Sequence, residues 1–552
     1  MRIKKQKDFY EIVGDQLMFT TFEGIIHKRR FKVRLFFEGI LTGLITGLVV
    51  VLFRYLLQLS AFGLERLYAF LGSHSLWWTG LWIVILSVVA WIIGRIIRYE
   101  PMVSGSGIPQ VKGAVLRQLN MQWLKVLVCK FVGGVLAIGA GMSLGREGPS
   151  IQLGAVVGQG VNSLLGGIPV KERILITSGA SAGLAAAFNA PLAGVVFSLE
   201  ELHKNFSPPV LLSAMAASLT ADYVSKNFFG IRPIFDFHTL PVFPMKYFPL
   251  LILLGVVVGL FGVVFNRSLI KSLNIYTKQK IVPKSMIVLI PLLLTIPVGF
   301  WIPQALGGGQ ELIQGIHNHQ YPLMILSLLL ITKFGLTMVS YGTGAPGGIF
   351  MPMLVIGALT GGVFSGVIET IWHIDPSFSN NFVVFAMAAY FTAVVKAPIT
   401  GSILITEMTG SFEHLPALIT VSMTAYIVAD LLKSQAVYDQ LLGRILAKER
   451  GGYPDKTSNS NTLLEVTVNM GSYLEGKMIK DVEWPRNCLL VNIKRGENHV
   501  IPGGDTLILA GDYLNILTGE THALKVKRRL LQMAGYSQVE QVIKDQNTGL
   551  TS

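Results

Sequence analysis

The chain has 552 residues, of which 51% are hydrophobic and only 14% are Asp, Glu, Lys or Arg. A soluble domain carries about 25% charged residues, so this composition excludes a disordered chain and argues against an ordinary cytosolic enzyme. The two cysteines, Cys129 and Cys488, exclude a disulfide scaffold and stand in no metal-ligand spacing.

The charge is uneven along the chain: 13 charged residues fall in the first 34 positions, 22 in residues 451–552, and 43 in the 416 positions between. A charge-poor body between charge-rich ends predicts an integral membrane protein with aqueous tails. The net charge of +14 therefore does not point to nucleic acid. Lys28, Arg29, Arg30, Lys32 and Arg34 precede the first apolar run, and Lys525, Lys527, Arg528 and Arg529 lie in the tail. Basic residues so placed are the ordinary positive-inside signal. No signal-peptide pattern follows Met1, so both ends are expected in the cytoplasm.

Residues 1–32 read as a cytosolic segment. Apolar stretches long enough to span then follow near 36–59, 77–97, 123–141, 247–266, 284–303, 321–340, 350–371, 382–406 and 414–432. Shorter apolar pieces lie near 149–165, 174–200 and 208–220. Many carry Gly and Pro. Irregular backbone at membrane depth survives only where protein buries it or it lines a wet cavity, so broken helices indicate a transport pathway.

The body repeats itself. At an offset of 203, Lys130 matches Lys333, Gly141 matches Gly344, Gly145 matches Gly348, and Pro149 matches Pro352. At 207, Ala190-Pro191 matches Ala397-Pro398 and Glu200 matches Glu407. Residues 33–447 are thus two homologous halves, 33–240 and 241–447. Such halves usually meet at a pseudo-twofold axis with the site at their interface, although sequence alone does not prove them inverted.

Residues 448–461 are polar and read as a linker. Beyond them Leu464, Val466 and Val468 alternate with polar residues as in a strand, and 489–493 and 506–509 read as further strands. Turns are expected at 502–505 and 510–512. The expected domain is small and α/β, over 462–535, followed by a tail at 536–552.

Three Gly-rich motifs share one design: Gly105-Ser106-Gly107-Ile108-Pro109, Gly145-Arg146-Glu147-Gly148-Pro149 and Gly348-Ile349-Phe350-Met351-Pro352. Pro fits the first turn of a helix, and Gly lets the backbone approach a ligand closely. Helix N-termini offer free N–H groups and the positive end of the dipole, so several converging ends make an anion site without a full positive charge. Symmetry sorts these residues. Glu200 has its partner in Glu407 and reads as structural, as do the paired Lys130 and Lys333. Glu147 stands opposite Phe350 and Glu201 opposite Met408. An unmatched carboxylate at membrane depth is a functional candidate. Glu147 lies inside an anion-attracting turn, where its ionised side chain competes with an anion for one place.

In this order and at these separations, GSGIP, GREGP and GIFMP resemble the signature motifs of the CLC chloride channel and transporter family, and the segment 183–194 fits as well. The resemblance covers about 33–447. It implies an all-α polytopic fold of two inverted repeats with broken helices, assembled as a homodimer with one pathway per subunit. It implies that Glu147 is the external gate and proton acceptor and that Glu201 is the internal proton acceptor. Channel members lack a carboxylate at the latter position. It implies a chloride site formed by Ser106, Gly107, Ile108, Ile349, Phe350 and Tyr438, with the Ser106 and Tyr438 hydroxyls as side-chain donors and a serine at 106 going with chloride.

The tail resembles the TrkA-C (RCK C-terminal) type through Val491–Arg495, Ile501–Asp505 and Ala510–Leu514. Related tails dimerise and some bind a cyclic dinucleotide; nothing in this sequence identifies a ligand, and no cofactor is expected in the membrane body. The expectation is a chloride/proton antiporter in a bacterial plasma membrane, not an enzyme, since no HExxH, Walker or GxSxG motif is present. A passive gated chloride channel and a transporter selective for fluoride or nitrate are the alternatives.

Overall fold

The computed structural model describes residues 2–535 other than 168, 205–206, 236, 238–239, 319–320, 450–460 and 497. The chain divides into two compact units, Met1–Leu446 and Ala447–Ser552. Most of the expected linker and all of the expected tail at 536–552 lie outside the described residues.

The first unit is helical. Its first half contains α1 (Arg2–Ser73), α2 (Leu76–Tyr99), α3 (Ile108–Val115), α4 (Trp123–Gly139), α5 (Glu147–Leu164), α6 (Pro169–Phe188), α7 (Pro191–Phe197) and α8 (Pro208–Phe229). The second contains α9 (Phe248–Lys278), α10 (Leu289–Trp301), α11 (Gln310–Asn318), α12 (Leu323–Gly342), α13 (Phe350–Trp372), α14 (Ser379–Val395), α15 (Pro398–Thr409) and α16 (Leu415–Leu431). A last helix, α17 (Val437–Glu449), closes the body. Helix for helix, the halves correspond in order. Among the described residues six helices are long and apolar enough to cross a membrane; α5, α6 and α14 lie almost wholly inside the protein.

Two apolar stretches that read as single pieces are broken. The stretch 382–406 divides into α14 and α15, and 174–200 divides into α6 and α7. The cause is the same in both. Asn189 and Lys396, equivalent in the repeat, adopt left-handed backbone with φ of 51° and 67°. Each is followed by Ala-Pro, and the proline starts the next helix. The stretch near 284–303 is helical only over α10, because 281–288 forms turns.

The halves meet head to head. Gly145 donates to the Gly348 carbonyl at 2.6 Å and Gly348 donates back to Gly145 at 2.7 Å. This isolated antiparallel bridge joins equivalent residues, as a local twofold axis requires. It brings together the N-termini of α5 and α13. The same symmetry governs the two buried lysines. Lys130 Nζ donates to the carbonyls of Val103 and Gly105 at 2.9 and 2.6 Å, and Lys333 Nζ donates to those of Ala305 and Gly307 at 3.0 and 2.7 Å. Each fastens the loop before a short helix, α3 or α11, to the helix that carries the lysine, in agreement with a structural role.

The second unit is a four-stranded antiparallel sheet of order β1-β4-β2-β3, with β1 Asn461–Thr467, β2 Cys488–Arg495, β3 Asn498–Val500 and β4 Tyr513–Gly519. A bulge lies between Leu490 and Asn492. The helix α18 (Glu520–Met533) contributes Val526 and Leu530 to a core with Val466, Ile493, Leu514 and Ile516. The strand expected at 506–509 is absent. Turns on either side leave four residues, and Leu507 makes one bridge, to Met478, while Ile508 and Thr506 pair with the 476–479 loop.

Candidate anion and proton site

Three loops deliver three helix starts to one place. Gly107 adopts φ 94° and hands the chain into α3, with Ile108 as its first residue and Pro109 in its first turn. A side chain at Gly107 is excluded twice, by this backbone and by the Gln152 side chain lying where a Cβ would go. Glu147 begins α5 and Phe350 begins α13, with Ile349 just before it. These loops touch. A methyl group at Gly148 would overlap the Ser106 hydroxyl and lie 2.7 Å from the Ser106 carbonyl and 3.2 Å from Gly348 Cα. Ser106, Ile108, Ile349, Phe350 and Tyr438 are all buried.

The polar atoms gathered here lack protein partners. The hydroxyls of Ser106 and Tyr438 and both carboxylate oxygens of Glu147 are buried without a hydrogen bond to any described residue. Orphaned buried hydroxyls cost about 1–3 kcal/mol each, a cost that a bound ligand at the helix starts offsets. The Glu147 oxygens lie toward the amides of Glu147 itself and Met351, at the helix starts, without completing hydrogen bonds. Arg146 Nε stands 3.7 Å from Oε1. The Phe350 ring packs against Phe188, Phe197 and Phe391 at centroid distances of 5.3, 6.0 and 4.8 Å, walling the site with apolar surface from α6, α7 and α14. Partial positive charge from helix ends, hydroxyl donors and a dry aromatic wall suit a small anion bound weakly enough to leave.

Glu200 and Glu201 are neighbours with different duties. Both lie on a π-helical turn, Ser198–His203, that follows α7 directly. Glu200 reaches α15, accepting from the amides of Ile399 and Thr400 and from the Thr400 hydroxyl. Glu201 turns inward and is 4% exposed. Its Oε1 accepts from Lys112 Nζ at 2.6 Å. Lys112, on α3, is itself buried and also pairs with Asp439 on α17. Asp439 is partly exposed and pairs with Lys204 at 3.2 Å. Tyr438 lies within electrostatic reach of both Glu147 and Glu201.

All eight expected site residues thus belong to one buried region, with Glu201 separate from the helix starts. Sequence reading passed over Lys112 and Asp439. The available signal was symmetry: the position 203 after Lys112 is Gly315, so the lysine is an unmatched charge in a charge-poor body.

Two inverted halves around such a site define a multi-pass membrane protein with a buried pathway for a small anion. The chain belongs to the voltage gated chloride channel (CLC) family, whose model matches residues 88–430, and its tail matches the TrkA-C domain over 463–531. It is 34% identical over 434 residues to the H(+)/Cl(-) exchange transporter ClcA of Vibrio cholerae, covering 75% of this chain and 90% of that one. The ClcA of Vibrio parahaemolyticus is 36% identical over 400 residues, covering 69% and 83%. A solved slow cyanobacterial Cl-/H+ antiporter superposes with a TM-score of 0.72 at 30% identity, covering 76% of this chain and 99% of the other. A CLC-type fluoride/proton antiporter, at 22% identity and a TM-score of 0.61, shares the fold.

Proposed function

We propose that the protein exchanges chloride for protons across a bacterial plasma membrane. In this reading it works as a homodimer with one pathway per subunit, keeps both termini in the cytoplasm, is not an enzyme, and is modulated through its TrkA-C unit. The observation that carries the reading is the pair of buried carboxylates, Glu147 at the helix starts and Glu201 apart from them on the π-helical turn. An anion channel needs the donors at the helix starts and has no use for a second buried acid.

Ionised Glu147 occupies the converging helix ends as an anion does. Chloride and this carboxylate compete, since like charges do not share one site. Protonation removes the attraction, and the neutral side chain swings out. Ser106 and Tyr438 donate hydrogen bonds to chloride, and the amides of Ile349 and Phe350 add the field of α13. Glu201 takes protons from the opposite side, out of the anion's way. The first relatives named above are called H(+)/Cl(-) exchangers, which favours exchange over conduction.

The test is reconstitution in liposomes under a chloride gradient, without a pH gradient and with the voltage clamped near zero. Protons moved uphill against chloride establish exchange. Chloride flux with silent pH makes the protein a channel and overturns the role of Glu201.

A further inference from the structure

Glu201 is almost completely enclosed, so a proton bound for it needs a carrier from water. Its acidic sequence neighbour does not serve. Glu200 is committed to the start of α15, where it accepts three hydrogen bonds from Ile399 and Thr400. A different chain of groups leads outward. Lys112 has a side chain only 1% exposed, yet its ammonium touches two carboxylates, Glu201 at 5% and Asp439 at 43% side-chain exposure. Asp439 is therefore the carboxylate through which this cluster opens outward, beside the 51% exposed Lys204.

We propose that Asp439 is the water-facing proton donor to Glu201 and that Lys112 is the relay between them. This rests on the exchange reading above. A proton from water adds to a carboxylate oxygen of Asp439. One N–H bond of the Lys112 ammonium breaks as a new O–H bond forms on Glu201. The Asp439 proton moves to the nitrogen, restoring the ammonium. The net change is one proton transferred from water to Glu201, with Lys112 still charged and Asp439 again ionised. No redox partner is involved.

The cluster is built for this. Two ammonium groups, Lys112 and Lys204, face two carboxylates, Glu201 and Asp439, so the charges balance where burial would otherwise be costly. Three elements supply the groups: α3, the π-helical turn and α17. Two of them also carry chloride donors, Ser106 just before α3 and Tyr438 beside Asp439. The relay thus shares its elements with the anion-site hydroxyls but none of their side chains.

The experiment compares proton and chloride fluxes of the full chain in liposomes for wild type, Asp439→Asn, Asp439→Glu, Lys112→Met and Lys112→Arg. Asp439→Asn should lower chloride-driven proton transport about a hundredfold, the lower end of the range for loss of a positioned acid, while chloride flux stays within about twofold. Asp439→Glu should restore most of the proton flux, which a merely structural role for Asp439 does not predict. In a Glu201→Gln background, Asp439→Asn should add nothing. Lys112→Met leaves a buried carboxylate unpaired and can fail to fold; Asp439→Asn and Lys112→Arg then still decide the matter, with Lys112→Arg slowing protons because a guanidinium does not release one. A wild-type proton-to-chloride ratio in Asp439→Asn overturns the relay alone. Absence of coupled proton movement in wild type overturns the exchange reading and the relay with it.

Discussion

Glu200 and Glu407 cap each other's half of the molecule. Glu200, on the π-helical turn after α7, accepts from the Thr400 amide at 2.8 Å at the start of α15. Glu407, its equivalent on α15, accepts from the amides of Leu192 and Ala193 at 3.1 and 2.7 Å at the start of α7. Two helices that begin with proline have no capping side chain of their own, and each borrows one from the opposite repeat.

Removing either cap should therefore weaken both halves without touching transport chemistry. Glu407→Ala should destabilise the fold by about 1–2 kcal/mol, the range for loss of an N-terminal cap. The check is thermal unfolding in detergent beside flux in liposomes. A lower melting temperature with an unchanged proton-to-chloride ratio is expected, and a changed ratio would give Glu407 a part in coupling.

Lys130→Met should be more damaging. It strips the carbonyls of Val103 and Gly105 of their donor in a dry interior. Each orphaned acceptor costs about 1–3 kcal/mol. The expected result is a loss of folded dimer on size-exclusion chromatography. A stable Lys130→Met protein with altered chloride affinity would instead make the lysine a ligand.

The two hydroxyls should act on affinity rather than on folding. Ser106→Ala and Tyr438→Phe each remove one donor to a charged acceptor, worth about 1.5–3 kcal/mol or roughly a ten- to hundredfold weaker chloride titration by calorimetry. Substitution of Tyr390, also buried with an unpartnered hydroxyl but packed against Phe265 and Gly357, serves as the comparison and should leave the titration unchanged.

Glu147→Ala should keep chloride moving and stop protons. Glu201→Gln should do the same from the other side. Proton flux still tied to chloride in Glu147→Ala would remove the carboxylate from its gating place. Coupling unchanged in Glu201→Gln would send the protons through another residue.

The tail should respond to acid through one pair. Burial pushes the Asp512 carboxyl up, but the Arg495 guanidinium and the Leu509 amide outweigh it and hold the group below the usual carboxylate range. A carboxylate more acidic when folded stabilises the fold above its unfolded value of about 3.9, and that contribution is lost as pH falls through the folded value. Hydrogen exchange of β1 and β4 in the full chain, corrected for intrinsic rates, should be steady above about pH 5 and loosen below about pH 4. Asp512→Asn should flatten this acid limb.

What the sequence disclosed follows from its physics. The repeat was legible because both halves need the same Gly and Pro at the same bends, and Glu147 was legible because it broke that symmetry. The division of 382–406 was less so: Lys396 gives no warning of left-handed backbone, and Ala-Pro alone reads equally as the interior of a kinked span. Thr506–Leu509 looked like a strand because most of its residues are apolar, yet it lies between turns and forms a single bridge, Leu507 to Met478. Lys112 and Asp439 were out of reach as a pair, because they are far apart in the chain and only the packing of α3 against α17 and the π-helical turn makes them neighbours.

The mutual bonds of Gly145 and Gly348 set the tempo of the machine. Two helix ends that each donate to and accept from the other form one rigid piece, and separating them would break both bonds in a place water does not reach. Each turn of the cycle must then leave this joint closed. On the exchange reading proposed above, the moving part is then the Glu147 side chain rather than a whole domain, whose swings take about microseconds to milliseconds.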